Sequence, residues 1–257
     1  MKRWIVILIC GFVAHTPVHA WGLQGHDITA YIAECNLTPQ AAAKVDKILD
    51  GYSPVYWCNW MDVASHTPEY AYTRSWHYLN IDEGQTYESM ARNPKGDVVT
   101  AVTMIVKLLK ERNFEPEKEA EYLKMLIHLV GDVHCPMHSG RKSDFGGNRV
   151  AVQFFGRDTD LHSAWDSSMV YTAHKWSYTE WQKQLDRLSK EEIAQIERGE
   201  PSDWLKEAHD ICIQIYADTP AGTNISYNYM AKYTPVVEKQ LLYGGYRLAG
   251  LLNEIYQ

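Results

Sequence analysis

The chain has 257 residues, of which 46% are hydrophobic and 22% charged. That composition supplies a full core for one large domain or two small ones, and it excludes disorder, a collagen repeat and a scaffold held by disulfides alone. The formal net charge of −7 argues against a broad basic surface that grips nucleic acid.

Residues 1–20, MKRWIVILICGFVAHTPVHA, read as a secretory signal peptide. Lys2 and Arg3 precede an apolar run over 4–14, and Val18 and Ala20 stand at the −3 and −1 positions of a cleavage site. The run is too short to span a bilayer. Cys10 follows Ile9, where a lipidated leader carries a small residue, so no lipid anchor is expected. Cleavage between Ala20 and Trp21 takes two of the 25 basic residues and none of the 32 acids, so the net charge moves from −7 to −9. The expected product is an exported chain 21–257, periplasmic or secreted, with no membrane anchor. Export permits disulfides. Cys35, Cys58, Cys135 and Cys212 allow three full pairings, and the sequence does not choose among them. Asn36-Leu-Thr38 and Asn224-Ile-Ser226 are glycosylation sequons, the first weakened as an acceptor by Pro39.

Helical periodicity dominates the rest. Residues 27–35 form the first helix, and Thr38-Pro39, a cap followed by proline at the first helical position, opens the second. Over 97–112 the apolar positions Val98, Val102, Ile105, Val106 and Leu109 recur at helical spacing. A longer helix over 117–133 carries Tyr122, Met125, Leu126, Leu129 and Val130 as its stripe. A Gly-rich loop over 139–148 leads into a strand pair, 149–155 with its return after a turn near Gly156. A short helix over 161–169 follows, then helical stretches over 179–197 and 202–216. The chain closes with a helix over 234–256 whose face includes Val237, Leu241, Leu248 and Leu252. No repeat, linker or composition break divides the chain, so the pattern predicts one mainly α domain with a small β-hairpin.

The densest chemistry lies in His128-Leu-Val-Gly-Asp132-Val-His134-Cys-Pro-Met-His138. His128 and Asp132, four apart on a helix, share one face. Pro136 ends that helix and His138 lies just beyond. His162 and Asp166 repeat the four-residue spacing on another helix. Imidazole and carboxylate suit zinc, and helices hold such pairs rigidly. One pair alone reads as a surface contact; two pairs with His138 point to metal. Asp62 and His77 are weaker candidates upstream. After cleavage, Trp21-Gly-Leu-Gln-Gly-His26 places a free α-amine five residues before a histidine. Such an amine titrates at roughly 7.7–8.0 and deprotonates readily for a metal, with the Trp21 carbonyl closing a chelate.

Trp21 at the cleavage point, His26, Asp62, His77, His128, Asp132, His138, His162 and Asp166 stand in an order and spacing that resembles the S1/P1 nuclease family, the secreted tri-zinc, single-strand-specific nucleases of fungi and plants. The resemblance covers nearly all of 21–257. Zinc-dependent phospholipase C is similar in fold and ligand order, but there the first histidine lies further from the N-terminal tryptophan and the last acid is glutamate. The short gap to His26 and the aspartate at 166 favour the nuclease.

The resemblance implies three Zn2+ ions. One takes Asp62, His77, His128 and Asp132. A second takes the Trp21 amine and carbonyl, His26 and Asp132, which bridges the pair. The third takes His138, His162 and Asp166. Three divalent ions against three carboxylates leave the cluster positive, which answers the objection from an acidic composition. The implied reaction is attack of an activated water on phosphorus, with Asp62 accepting its proton, leaving 5′ phosphates. A 3′-nucleotidase activity follows from the same geometry. Single-stranded nucleic acid or nucleotide is the implied partner, because a base must leave its stack to be held. No protein partner is implied, and a monomer is expected. The resemblance puts the base pocket at Tyr78, Asn80 and Asn148. Asn80 departs from the acid frequent in fungal members, and Ser65 stands where many members carry a basic residue near the phosphate. His66, His134, Cys135, His174 and His209 match no ligand position and read as structural. The competing readings are a phospholipase C and a non-catalytic zinc protein.

Overall fold

The computed structural model describes residues 21–112 and 114–257. The expected signal peptide, residues 1–20, lies outside the described residues. Helix α1 (Leu23–Cys35) is followed by α2 (Pro39–Ile48), the short helices α3 (Pro54–Trp57) and α4 (Trp60–Ala64), and a 3-10 segment Ala71–His77. Then come α5 (Val98–Glu111), α6 (Pro116–Val133) and a 3-10 turn Pro136–Ser139. The hairpin is β1 (Ala151–Phe154) with β2 (Arg157–Asp160). Beyond it lie α7 (Leu161–Ser163), a π turn Ala164–Ser168, α8 (Met169–Ala173), α9 (Tyr178–Leu185), α10 (Lys190–Ile196), α11 (Pro201–Asp218), β3 (Asn224–Ile225) and α12 (Tyr227–Ile255). The fold is mainly α, as the periodicity implies.

Local chemistry explains the boundaries. Thr38 accepts the Ala41 N–H and Pro39 opens α2 as expected. Asp97 and Thr100 close a reciprocal capping box that starts α5. The helical stretch read over 179–197 is two helices. Ser189 with Glu192 forms its own capping box, as Ser177 does with Glu180, so the chain restarts a helix rather than continuing one. The last helix begins at Tyr227, well ahead of 234, and runs through Pro235. Pro235 is the ninth residue of that helix, beyond the first turn, so it removes one i→i−4 hydrogen bond there. The hairpin gains an unforeseen third strand. Short β3 adds parallel to β1, pairing Gln153 with Asn224 and Phe154 with Ile225.

Two apolar cores form. One gathers α5, α6 and the end of α12 around Val102, Ile105, Leu126, Leu129 and Leu252. The other gathers Trp21, Trp165, Trp181, Tyr246, Val237 and Leu241. At roughly 200 Å² per ring and about 25 cal/mol per Å², burying each tryptophan stabilises this second core by about 5 kcal/mol before ordering costs. Helix α1 serves both, with Ala30 and Ala33 in the first and Ile28 and Ile32 in the second. It approaches α12 closely because Gly245 has no side chain there; a Cβ would lie 2.4 Å from the Ile32 Cγ2.

Among the described residues no disulfide is formed. Cys35, Cys58, Cys135 and Cys212 are all free thiols, and the last three are buried. Among the described residues no helix is long and apolar enough to cross a membrane.

Candidate metal centre

The eight His and Asp candidates converge in the seam between the two cores. Helix α6 contributes His128 and Asp132, one turn apart, with His128 Nε2 3.2 Å from Asp132 Oδ2. Helix α4 contributes Asp62, whose Oδ1 is 3.4 Å from His128 Nε2. The 3-10 segment ends at His77, placing Nδ1 3.1 Å from Asp132 Oδ2. Helix α1 brings His26, with Nε2 3.4 Å from Asp132 Oδ1. Its ring fits only because position 131 is glycine; a Cβ there would sit 2.8 Å from His26 Nδ1. His138 follows Pro136 in the 3-10 turn, and its Nε2 is 3.8 Å from Asp166 Oδ1. His162 lies in α7 and stacks on His138 with centroids 5.4 Å apart. The helix expected over 161–169 widens into a π turn at Asp166, the kind of local bulge common at functional sites.

Backbone carbonyls orient the rings. The Nδ1 atoms of His128, His138 and His162 lie 2.6, 2.8 and 2.8 Å from the carbonyls of Cys58, His77 and Gly146. With Nδ1–H donating outward, Nε2 of each ring is left free of that proton, the arrangement in which metal-binding histidines are commonly held. The Gly-rich loop thus has a stated job, since Gly146, at φ +67, delivers the carbonyl that holds His162.

The cluster is poor in donors. His26 Nε2, Asp62 Oδ2, His77 Nε2, Asp132 Oδ1 and His138 Nε2 are buried without a hydrogen-bond partner. Buried polar atoms are normally paired, so this many orphans facing one another could hold a cation between them. The protonation behaviour agrees. Burial alone would raise the Asp132 carboxyl, yet the charges of His128 and His138 hold it well below the usual carboxylate range. Burial would lower His128, but Asp132 and Asp62 hold it well above the ordinary imidazole value. Burial pushes His138 down to about 3. Burial, reinforced by Asp62 and Asp132, pushes the Asp166 carboxyl well up. Divalent cations would relieve all of these together.

Three groups of ligand atoms meet the spacing a metal requires: His26, Asp62 and His128; His77, His128 and Asp132; and Cys135, His138 and Asp166. The first two overlap and hold five of the expected ligands of the close pair. The third contains Cys135, which sequence reasoning left as structural. Its Sγ is 3.8 Å from Asp166 Oδ1, and burial pushes the thiol well up, so it stands protonated beside the carboxylate. Trp21 is fully buried in the second core, and the next residue is tied to the third group, the Gly22 N–H donating to the Asp166 carbonyl at 2.8 Å. His134 is structural as expected: Arg247 Nη1 donates to its Nε2 at 2.9 Å, and burial with that guanidinium lowers it to about 3.

A cavity of about 180 Å³ opens onto the cluster, lined by Asp62, His66, Arg74, Tyr78, His138 and His162 among others. Tyr78, 38% exposed, also lines a neighbouring cavity of about 500 Å³ with Asn80, Arg92 and Phe145. Asn148 lines neither; its Nδ2 donates to the Phe145 carbonyl. His66, read from the sequence as structural, lines this cavity, and Arg74 was not singled out; nothing in its spacing marks it.

A mainly helical fold that gathers imidazoles and carboxylates from α1, α4, α6, α7, the π turn and two 3-10 segments beside one cavity defines a candidate metal centre. The family profile described as S1/P1 Nuclease matches residues 21–257. The chain is 27% identical to "Endonuclease 3" of Arabidopsis thaliana over 285 residues, covering 100% of this chain and 96% of that protein. It is 27% identical to "Nuclease P1" of Penicillium citrinum over 266 residues, covering 92% and 98%. It is 25% identical to "Nuclease S1" of Aspergillus oryzae over 295 residues, covering 99% and 98%. The chain belongs to the S1/P1 nuclease family and is a hydrolase, a nuclease, rather than a phospholipase C or a non-catalytic zinc protein.

Proposed function

We propose that this nuclease is a zinc-dependent endonuclease that hydrolyses phosphodiester bonds of RNA and single-stranded DNA, leaves 5′ phosphates and also acts as a 3′-nucleotidase. The observation that carries the reading is the set of orphaned, buried nitrogen and oxygen ligands opening onto one cavity. Their chemistry, imidazole with carboxylate, fits zinc. Asp62, His77, His128 and Asp132 hold one ion. His26 and Asp132, with the Trp21 amine and carbonyl, hold a second. His138, His162 and Asp166 hold the third. Zinc supplies Lewis acidity and positive charge when bound.

The remaining duties fall to the chain. Asp62 Oδ2, on the cavity wall and without a hydrogen bond, accepts the proton of the attacking water. Tyr78, at the junction of the two cavities, offers its face to a base, which suits any base but requires one that is unstacked. Asn80 presents both a donor and an acceptor to it. Asn148 acts through Phe145, whose carbonyl it holds beside the larger cavity. Residues 1–20 serve as a cleaved export signal; a family match that starts at residue 21 supports that boundary. The test is elemental analysis and cleavage assays on protein beginning at Trp21. About three zincs per chain and chelator-sensitive cleavage of single-stranded RNA and DNA to 5′-phosphate ends are expected. Fewer than two zincs, or three with no nucleic-acid cleavage, refutes the reading.

A further inference from the structure

The metal-facing cavity contains a cation that the ligand set does not explain. Arg74 lines it, and its Nε donates to the Ser65 carbonyl at 3.0 Å while Nη2 reaches the His66 carbonyl at 3.5 Å. Both acceptors are neutral. Among the described residues Arg74 has no carboxylate partner, although Asp62 lines the same cavity. The guanidinium is therefore oriented by the backbone and left with its charge unspent. Ser65 also lines the cavity but is buried and neutral, its Oγ donating to the Asp62 carbonyl at 3.1 Å. At about 180 Å³ the cavity has room for a phosphate-sized group. A planar fork of donors is the side chain best matched to phosphate oxygens.

We propose that Arg74 is a phosphate-binding residue of this site, delivering from the 3-10 segment Ala71–His77 the positive charge that Ser65 lacks. The proposal rests on the nuclease reading for the identity of its ligand, a phosphodiester or its phosphate product. The guanidinium is held over the carbonyls of 65 and 66, so it enters from beside α4. It meets the non-bridging oxygens of a phosphate whose other side faces the metal ligands.

The test uses zinc-loaded protein beginning at Trp21 and inorganic phosphate, read by calorimetry. Arg74→Gln keeps a hydrogen-bond donor without the charge, and is expected to weaken phosphate binding about tenfold or more with zinc content unchanged. Arg74→Lys keeps most of the binding, and adding Ser65→Arg to Arg74→Gln restores it. Unmutated protein gives an independent readout, since phosphate should slow modification of Arg74 by phenylglyoxal, followed by mass spectrometry. Phosphate affinity unchanged in Arg74→Gln, or no protection of Arg74 in the unmutated chain, overturns the proposal. A chain that fails to cut nucleic acid but still binds phosphate through Arg74 refutes the nuclease reading and leaves this inference standing.

Discussion

Gly131→Ala asks whether the seam between α1 and α6 is as tight as the ligand geometry requires. The new Cβ would fall 2.8 Å from His26 Nδ1 and 3.1 Å from its Cε1, where ordinary contacts are 3.4–4 Å. The ring must withdraw by about 0.6 Å to reach a normal separation. It has little room, being 1% exposed and stacked on His128 with centroids 4.0 Å apart. Alanine in a helix interior gains about 1 kcal/mol over glycine, and overpacking costs about 1–3 kcal/mol. The net effect on folding is thus small, at most about 2 kcal/mol of lost stability. The effect on the site is larger, because His26 retreats from Asp132. We expect one zinc fewer per chain and cleavage reduced about a hundredfold, the scale set by an ångström of misplacement. Denaturation curves, elemental analysis and single-stranded RNA cleavage measure the three quantities. Gly51→Ala is the control, since at φ +78 its Cβ meets nothing within 4 Å and only backbone strain is paid. Full zinc content and full rate in Gly131→Ala would refute the close-packing argument.

Two further outcomes follow from burial. Burial pushes the Tyr229 phenol up to about 12, in a site where its oxygen accepts the Trp165 N–H at 2.9 Å and pairs with the Thr219 hydroxyl at 2.8 Å. A raised folded-state value means the neutral phenol stabilises the fold fully below pH 10, and that contribution is lost as pH climbs from 10 towards 12. Tyr229→Phe should shrink the alkaline loss of stability by about 2 kcal/mol, read from urea midpoints at pH 9 and 11.5; an unchanged slope counts against it. Of the four cysteines in 21–257, only Cys35 is exposed, and burial pushes Cys212 up to about 12. A thiol reagent at pH 8 should label one thiol rapidly in native protein and four in denaturant, while fewer than four in denaturant would indicate a disulfide.

The clustering of the candidate residues was legible because two of their pairs are written in helical spacing. His128 and Asp132 are one turn apart on a long regular helix, so their common face follows from the pitch alone. His138 was legible because Pro136 marks where that helix must stop. The parts that escaped reading depend on contacts between segments far apart in the chain. Gly131 looks like an ordinary weak point in a helix until α1 lays His26 against it. Arg74 is an unremarkable basic residue until its guanidinium reaches the Ser65 carbonyl. Cys135 carries no signal of its own beside stronger ligands, and only the π turn brings Asp166 to it. The break between α9 and α10 was readable in principle, since Ser189 and Glu192 spell a capping box, but apolar periodicity runs straight across it. Pro235 misled in the other direction, because tertiary packing lets α12 start before a residue that usually marks a boundary.

The two apolar cores give the centre a mechanical meaning beyond its chemistry. Asp62, His77, His128 and Asp132 are carried by elements of the first core, while His138, His162 and Asp166 are carried by elements around the second. An ion held by Trp21, His26 and Asp132 would draw ligands from both halves, which are otherwise joined by α1, α11 and α12. A loaded chain should then melt as one body, and a stripped one should come apart in stages, with the tryptophan-rich half reporting its own transition by fluorescence. Chelation would then loosen how the two halves meet before either half unfolds.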